Sequence, residues 1–339
     1  MRPVNAPDPF ALALPDEELA RIEEYLHRAV RRDDPFLDEI ATHLIDAGGK
    51  RLRPALTLTS ASLAAPRQDG PGASDETLLG AVSVELVHLA SLYHDDVMDE
   101  ATRRRNVVSV NARWGNLLAI VAGDYLLARS AEIAASLGTE VAGLLAATLA
   151  RLCHGQVAEV RAAYRLDRTE EDYFNTIADK TAALISAACR IGALTADLPR
   201  EQVETLTVFG ESLGMVFQIR DDVLDVLASE QELGKPPGQD LAEGVYTLPV
   251  QRALRDAKIG PELRSLLGRP LDADEVDVAR TLVSESSGIA AAADAAGRYA
   301  TKALEAAARL GDGEVSEALS RLGMSLLDDL ERSTRALAS

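Results

Sequence analysis

Two stretches of this sequence gather carboxylates at the same spacing. In YHDDVMDEATRRR, residues 93–105, Asp95, Asp96 and Asp99 close an apolar run, and in FQIRDDVLDV, residues 217–226, Asp221, Asp222 and Asp225 repeat the i, i+1, i+4 pattern. On a helix this spacing puts the first and last aspartate on one face with the second beside them. Both triplets stand at the C-terminal end of their helix, where the macrodipole is already negative and cations are favoured. Two carboxylates ~4 Å apart repel by about 1 kcal/mol in water and about 4 kcal/mol at a surface-like dielectric, so cations must be shared among them. Solvated helix ends would account for one such cluster; the duplication asks for more. Oxygen donors without His or Cys suit Mg²⁺, which takes one or two carboxylates and completes its shell with water and substrate phosphates.

A phosphate-bearing ligand also needs cations, and four further stretches carry them. GGKRLRP, residues 48–54, sets Lys50, Arg51 and Arg53 after two glycines that let the backbone approach an anion. TRRRN, residues 102–106, brings Arg104 and Arg105 within ten residues of Asp95, and guanidinium forks suit phosphate oxygens. Lys235 lies in GKPPGQD beyond the second triplet, and Lys180-Thr181 lie inside DYFNTIADKTAALISAACR. Three of the four have a plainer reading: a Gly-Gly helix stop for GGKRLRP, charge balance with the aspartates for TRRRN, and for Lys180 a lysine that snorkels from an apolar helix.

The elements that must position these groups read as helices throughout. Aromatics are only 4% of the 339 residues while Ala and Leu abound, a composition that favours helix over strand. Apolar periodicity of three and four predicts helices near 16–32, 34–47, 51–65, 75–101, 107–122, 123–137, 139–166, 170–196, 200–227, 246–256, 261–267, 274–284, 287–311 and 313–336. The expectation is an all-α, single-domain bundle over residues 1–339 around a central cavity, with residues 1–15 irregular and exposed loops at 65–75 and 228–244. A net charge of −19 argues against nucleic acid as a partner. Cys153 and Cys189 belong to no Cys-x-x-Cys pair and read as buried helical residues in a reducing compartment. No leader-like segment or long uncharged apolar run is read, so the expected location is cytoplasmic, with no transmembrane segment.

Taken together, GGKRLRP, ELVHLASLYHDDVMDEATRRR, AGDYLL, DKTAALI, FQIRDDVLDV and GKPPGQDLAEGVYTLP resemble the trans-isoprenyl diphosphate synthases, the polyprenyl synthetase family. The resemblance implies an all-helical homodimer with one cavity per subunit and the two aspartate motifs facing across its mouth. It assigns Asp95, Asp96, Asp99, Asp221, Asp222 and Asp225 to several Mg²⁺ ions, with Mn²⁺ as a substitute, on an allylic diphosphate. Arg104, Lys180, Thr181, Gln218 and Lys235 would hold that allylic substrate, and Gly49, Lys50, Arg53, His88 and Arg105 isopentenyl diphosphate. Val245 departs from the pattern, since the family usually has Lys there, and Asn106 replaces a common Gly at a position that tolerates left-handed backbone.

The growing prenyl tail would run back along the helix before Asp95, meeting Ser91 and Ala90 first and then Val87. Small residues there predict a medium or long polyprenyl product, the alternative being a geranylgeranyl or farnesyl diphosphate synthase. A di-iron carboxylate bundle is suggested by Glu24-x-x-His27 and Glu85-x-x-His88 but leaves both triplets and every basic motif unexplained. A terpene cyclase would carry a different second metal motif. A non-catalytic partner subunit would be expected to lack one triplet.

Overall fold

The computed structural model describes residues 16–64, 72–229 and 236–335. Helices dominate: α1 Asp16–Val30, α2 Pro35–Asp46, α3 Leu52–Ala61, α4 Asp75–Met98, α5 Val110–Trp114, α6 Asn116–Ser136, α7 Thr139–Ala162, α8 Glu170–Ile177, α9 Ala183–Thr195 and α10 Arg200–Leu227. Then come α11 Gln239–Ala242, α12 Leu248–Ala253, α13 Gly260–Leu266, α14 Ala273–Glu285, α15 Gly288–Arg309 and α16 Glu314–Arg335. Among the described residues the only strands are β1, Arg103–Arg104, and β2, Val107–Val108, paired antiparallel with Arg104 opposite Val107.

Local chemistry sets the helix starts. Asp34 accepts from the amides of Phe36 and Leu37 ahead of Pro35, and Thr169 with Asp172 forms a reciprocal capping box at α8. The predicted helix at 107–122 is replaced by β2, the short α5 and a break at Gly115, whose φ of +90° only glycine adopts readily. The predicted break near 122 does not occur, because Gly123 continues α6 under the ring of His94: a Cβ there would lie 2.4 Å from its Nε2. The helix expected over 170–196 holds a π-helical turn at Ala178–Ala182. Residues 1–15, 65–71 and 230–235 lie outside the described residues, and the loop expected at 228–244 is interrupted by the short α11.

Contacts divide the chain into two compact units. One includes residues up to Leu149 together with Leu184–Thr207, and the other Ala150–Ala183 with Val208 onward. Each is assembled from non-contiguous stretches. The first unit buries Leu26, Ile40, Leu44, Leu86, Ala90, Tyr93 and Leu126 in one core, and Tyr93 stays satisfied there by donating to the carbonyl of Ile40 at 2.7 Å. The second buries Tyr173, Ile219, Val223, Tyr246, Leu263, Ala292 and Leu330. Cys189 is buried as expected, with its thiol pushed up to about 12 by desolvation. Cys153, on α7, is exposed, against the expectation of burial.

Candidate active site

The first triplet ends α4. Asp96 is fully buried, Asp95 half-buried and Asp99 exposed as the C-cap residue. Asp96 Oδ1 accepts from Arg104 Nε at 2.7 Å and Nη2 at 2.6 Å, a charge-assisted fork. Burial raises the Asp96 pKa and Arg104 opposes the rise without cancelling it. Asp96 Oδ2 is buried without a hydrogen-bond partner.

Arg104 and Arg105 diverge because a two-residue hairpin turn separates β1 from β2. Arg105 and Asn106 have φ of 50° and 66°, the left-handed pair that tight hairpins require. Arg105 therefore turns to the glycine loop, where Nη1 donates to the carbonyls of Leu44 at 3.1 Å and of Gly48. A Cβ on Gly49 would lie 3.0 Å from the Arg105 guanidinium carbon. That close approach and a φ of +155° together favour glycine at this position.

Around this loop the structure gathers Arg51, Arg53, His88 and Arg105 about one buried carboxylate, Glu85. Arg51 Nη1 donates to Glu85 at 3.1 Å and Nε to Glu23 at 2.6 Å, while Arg105 stands 3.9 Å from Glu85. Arg53 is desolvated enough to bring its pKa down to about 10, with Arg105 adding repulsion and Glu85 opposing it. Its Nε is buried without a hydrogen-bond partner. Burial, then the charges of Arg53, Arg105, Arg51 and Arg104, hold His88 well below the ordinary imidazole range. Lys50 is exposed. Glu85 thus serves as counter-ion to arginines and Glu24 is exposed, which removes the di-iron pairing.

The second triplet ends α10. Asp222 is buried, accepting from Tyr173 Oη at 2.6 Å and Gln218 Nε2 at 2.8 Å, and Thr181 Oγ1 donates to Gln218 Oε1 at 2.6 Å. Desolvation raises the Asp222 pKa to about 7, against these hydrogen bonds, with Asp221 and Glu159 adding like charge. Asp225 Oδ2 accepts from the amide of Asp240 at 3.1 Å, tying the triplet to α11. Arg220, buried, bridges Asp221 at 2.8 Å and Asp329 of α16 at 2.8 Å.

Lys180 and Thr181 sit on the π-helical turn, which two glycines grip. A Cβ on Gly155 of α7 would lie 2.6 Å from the Lys180 amide nitrogen, and one on Gly214 of α10 would lie 2.5 Å from Ala182 Cα. Lys180 ion-pairs with Glu159. Sequence reasoning did not single out Glu159, Tyr173 or Asp329. Only Glu159 left a trace, one helical turn beyond Gly155, as the charge that a lysine inside an apolar helix demands. Lys235 lies outside the described residues, and Val245 is half-buried.

Ala90 and Val87 are buried, and Ser91 is half-buried with its hydroxyl donated to the carbonyl of His88 at 2.9 Å. Among the described residues no three His, Cys, Asp or Glu side chains converge at metal-ligating distance.

The sequence model of the polyprenyl synthetase family matches residues 34–284. The chain belongs to the polyprenyl synthetase family. A nonaprenyl diphosphate synthase of Mycobacterium tuberculosis is 43% identical over 308 residues, 90% of either chain. Component 2 of the heptaprenyl diphosphate synthase of Geobacillus stearothermophilus is 40% identical over 85% of this chain and 88% of its own. A polyprenyl synthase from Caulobacter crescentus, solved with calcium and isoprenyl diphosphate, superposes with a TM-score of 0.85 at 32% identity, covering 92% of this chain and 94% of that one. The all-α fold of this polyprenyl synthetase is therefore the isoprenoid synthase fold.

Proposed function

We propose that this polyprenyl synthetase, acting as one domain, condenses isopentenyl diphosphate head-to-tail with an allylic diphosphate and releases a medium- or long-chain polyprenyl diphosphate. One observation carries the reading. Beside a helix that ends in an aspartate triplet, a desolvated Arg53 with a spare Nε, a neutral His88 and an anchored Arg105 form a cationic cluster suited to a diphosphate. The names of the relatives support the longer product over a geranylgeranyl or farnesyl one.

In this reading Gly49, Lys50, Arg53, His88 and Arg105 hold isopentenyl diphosphate, and Arg104, Lys180, Thr181, Gln218 and Lys235 hold the allylic diphosphate. Asp95, Asp96, Asp99, Asp221, Asp222 and Asp225 are the carboxylates for Mg²⁺. The donors fit a hard divalent ion, since all are oxygens and the buried Asp96 Oδ2 lacks a partner. When bound, the metal supplies Lewis-acid stabilisation to the leaving diphosphate. Arg104 and Lys180 add fixed positive charge where the allylic C–O bond ionises, and Glu159 with the π-helical turn fixes the Lys180 ammonium. Holding isopentenyl diphosphate beside the cation replaces a bimolecular encounter, and the departing diphosphate takes the proton that is lost. Val245 in place of the family's lysine removes one cation and weakens allylic binding.

Exposed Leu117, Ile120 and Val121 on α6 support a homodimer. On α7, Val157 and Val160 are exposed as well. α7 is long and apolar enough by length and composition to cross a membrane; its exposed side is better explained as a subunit contact in a cytoplasmic enzyme. A second reading, in which a different partner subunit is required, follows from the word "component" in the name of one relative.

The test is incubation of the purified chain alone with Mg²⁺, isopentenyl diphosphate and each C5 to C20 allylic diphosphate, followed by product sizing. Asp95→Ala and Asp221→Ala should each lower kcat/KM by about 10²-fold or more; full turnover in either would refute the metal assignment. No product without an added subunit would favour the second reading. Ser91→Phe should shorten the product, and an unchanged distribution would remove Ser91 from the tail's path.

A further inference from the structure

Outside the residues assigned above, one groove concentrates positive charge in a chain whose net charge is −19. It has a volume of about 280 Å³ and lies between the C-terminal half of α7 with the connection that follows it and α8. Arg161, Arg165 and Arg168 line it with Asp172, Asn175 and Thr176. Asp172 is the one carboxylate of the lining, and its Oδ2 already accepts from the amide and hydroxyl of Thr169 at 3.1 and 2.7 Å.

The three guanidinium groups are unequally engaged. Arg165 is exposed and pairs with Asp167 at 3.0 and 2.9 Å, an arrangement a stronger anion can replace. Arg161 is exposed and forms no ion pair among the described residues. Arg168 is different. It is only 8% exposed, its Nη2 donates to Thr176 Oγ1 at 2.8 Å, and its Nε is buried with no hydrogen-bond partner. A buried guanidinium with an unmet donor is an unsatisfied state that an acceptor oxygen would relieve. Its neighbour Asn175 adds a neutral amide suited to phosphate oxygens, while the Thr176 hydroxyl is committed to the carbonyl of Asp172 at 2.7 Å.

We propose that this groove is a metal-independent site for a diphosphate anion, with Arg168 as the buried anchor and Arg161 and Arg165 closing from the rim. Its only apolar residues are Ala158 and Ala162, and no large aliphatic or aromatic side chain lines it to bury a prenyl tail. The ligand chemistry is therefore the diphosphate group itself. On the prenyl-transfer reading, the source is the inorganic diphosphate that each condensation releases.

The experiment uses the full chain in EDTA. Isopentenyl diphosphate is titrated in one run, comparing the wild type with Arg53→Gln, which tests the functional reading by itself, and inorganic diphosphate is titrated by calorimetry in a separate run without it. A diphosphate binding event is expected in that second run, at least tenfold weaker in Arg168→Gln and in the double variant Arg161→Gln/Arg165→Gln, and unchanged in Asp221→Asn. The double variant changes only exposed positions, so it decides the matter if Arg168→Gln does not fold. A farnesyl diphosphate competitor should bind no more tightly than inorganic diphosphate. Absence of that binding event, unchanged affinity in the double variant, a requirement for Mg²⁺, or marked preference for the farnesyl compound would each overturn the proposal.

Discussion

His88 shows how far a side chain's surroundings reach into its chemistry. Its ordinary pKa is 6.5, and burial with four nearby arginines keeps it neutral in the folded chain well below that value. The unfolded chain takes up the proton once pH falls through about 6.5, so the stability His88 allows is complete above that pH and is lost progressively in acid. Melting curves of metal-free protein from pH 7 to 5 should fall more steeply for the wild type than for His88→Gln; equal slopes would contradict the neutral assignment. The aspartate triplets were legible because the same i, i+1, i+4 spacing repeats at the ends of two apolar helices. Glu85 was legible only as part of a Glu-x-x-His pattern, which sequence alone could not distinguish from a metal ligand pair. Its use by Arg51 and Arg105 accompanies left-handed backbone at both arginines, φ of 48° and 50°, and nothing in the order GGKRLRP or TRRRN announces that. Tyr173 was invisible for a similar reason, since its partner Asp222 lies 49 residues away.

At the scale of elements, apolar periodicity located nearly every helix, because each buries one face and the repeat follows directly. It failed where backbone departs from the regular helix. The hairpin of β1 and β2 is only two residues per strand, too short to show alternation, and the π-helical turn keeps an apolar pattern that reads as unbroken helix. Gly155 and Gly214 are what the turn needs, since helix backbones approach it too closely for a side chain. Gly214→Ala should destabilise the protein by about 1–3 kcal/mol through overpacking. It should also raise KM for the allylic substrate more than for isopentenyl diphosphate, because the turn carries Lys180 and Thr181. Thermal melts and steady-state kinetics on the one variant check both, and equal effects on the two KM values would detach the turn from allylic binding.

For the whole molecule, charge and apolar surface pull in different directions. A net charge of −19 discourages unspecific association, yet α6 exposes Leu117 at 75% and Val121 at 50%. Light scattering should report a dimer for the wild type and a monomer for Leu117→Glu/Val121→Glu; a dimer that survives both charges would place the contact elsewhere. The tie between Arg220 and Asp329 reaches across 109 positions of chain to the last helix. A nascent polypeptide therefore carries Arg220 with its eventual partner still untranslated, and at ~5–20 residues per second the wait lasts roughly 5–20 s. Until α16 has been made that arginine lacks its Asp329 partner, and a chain cut short before α16 would never gain it.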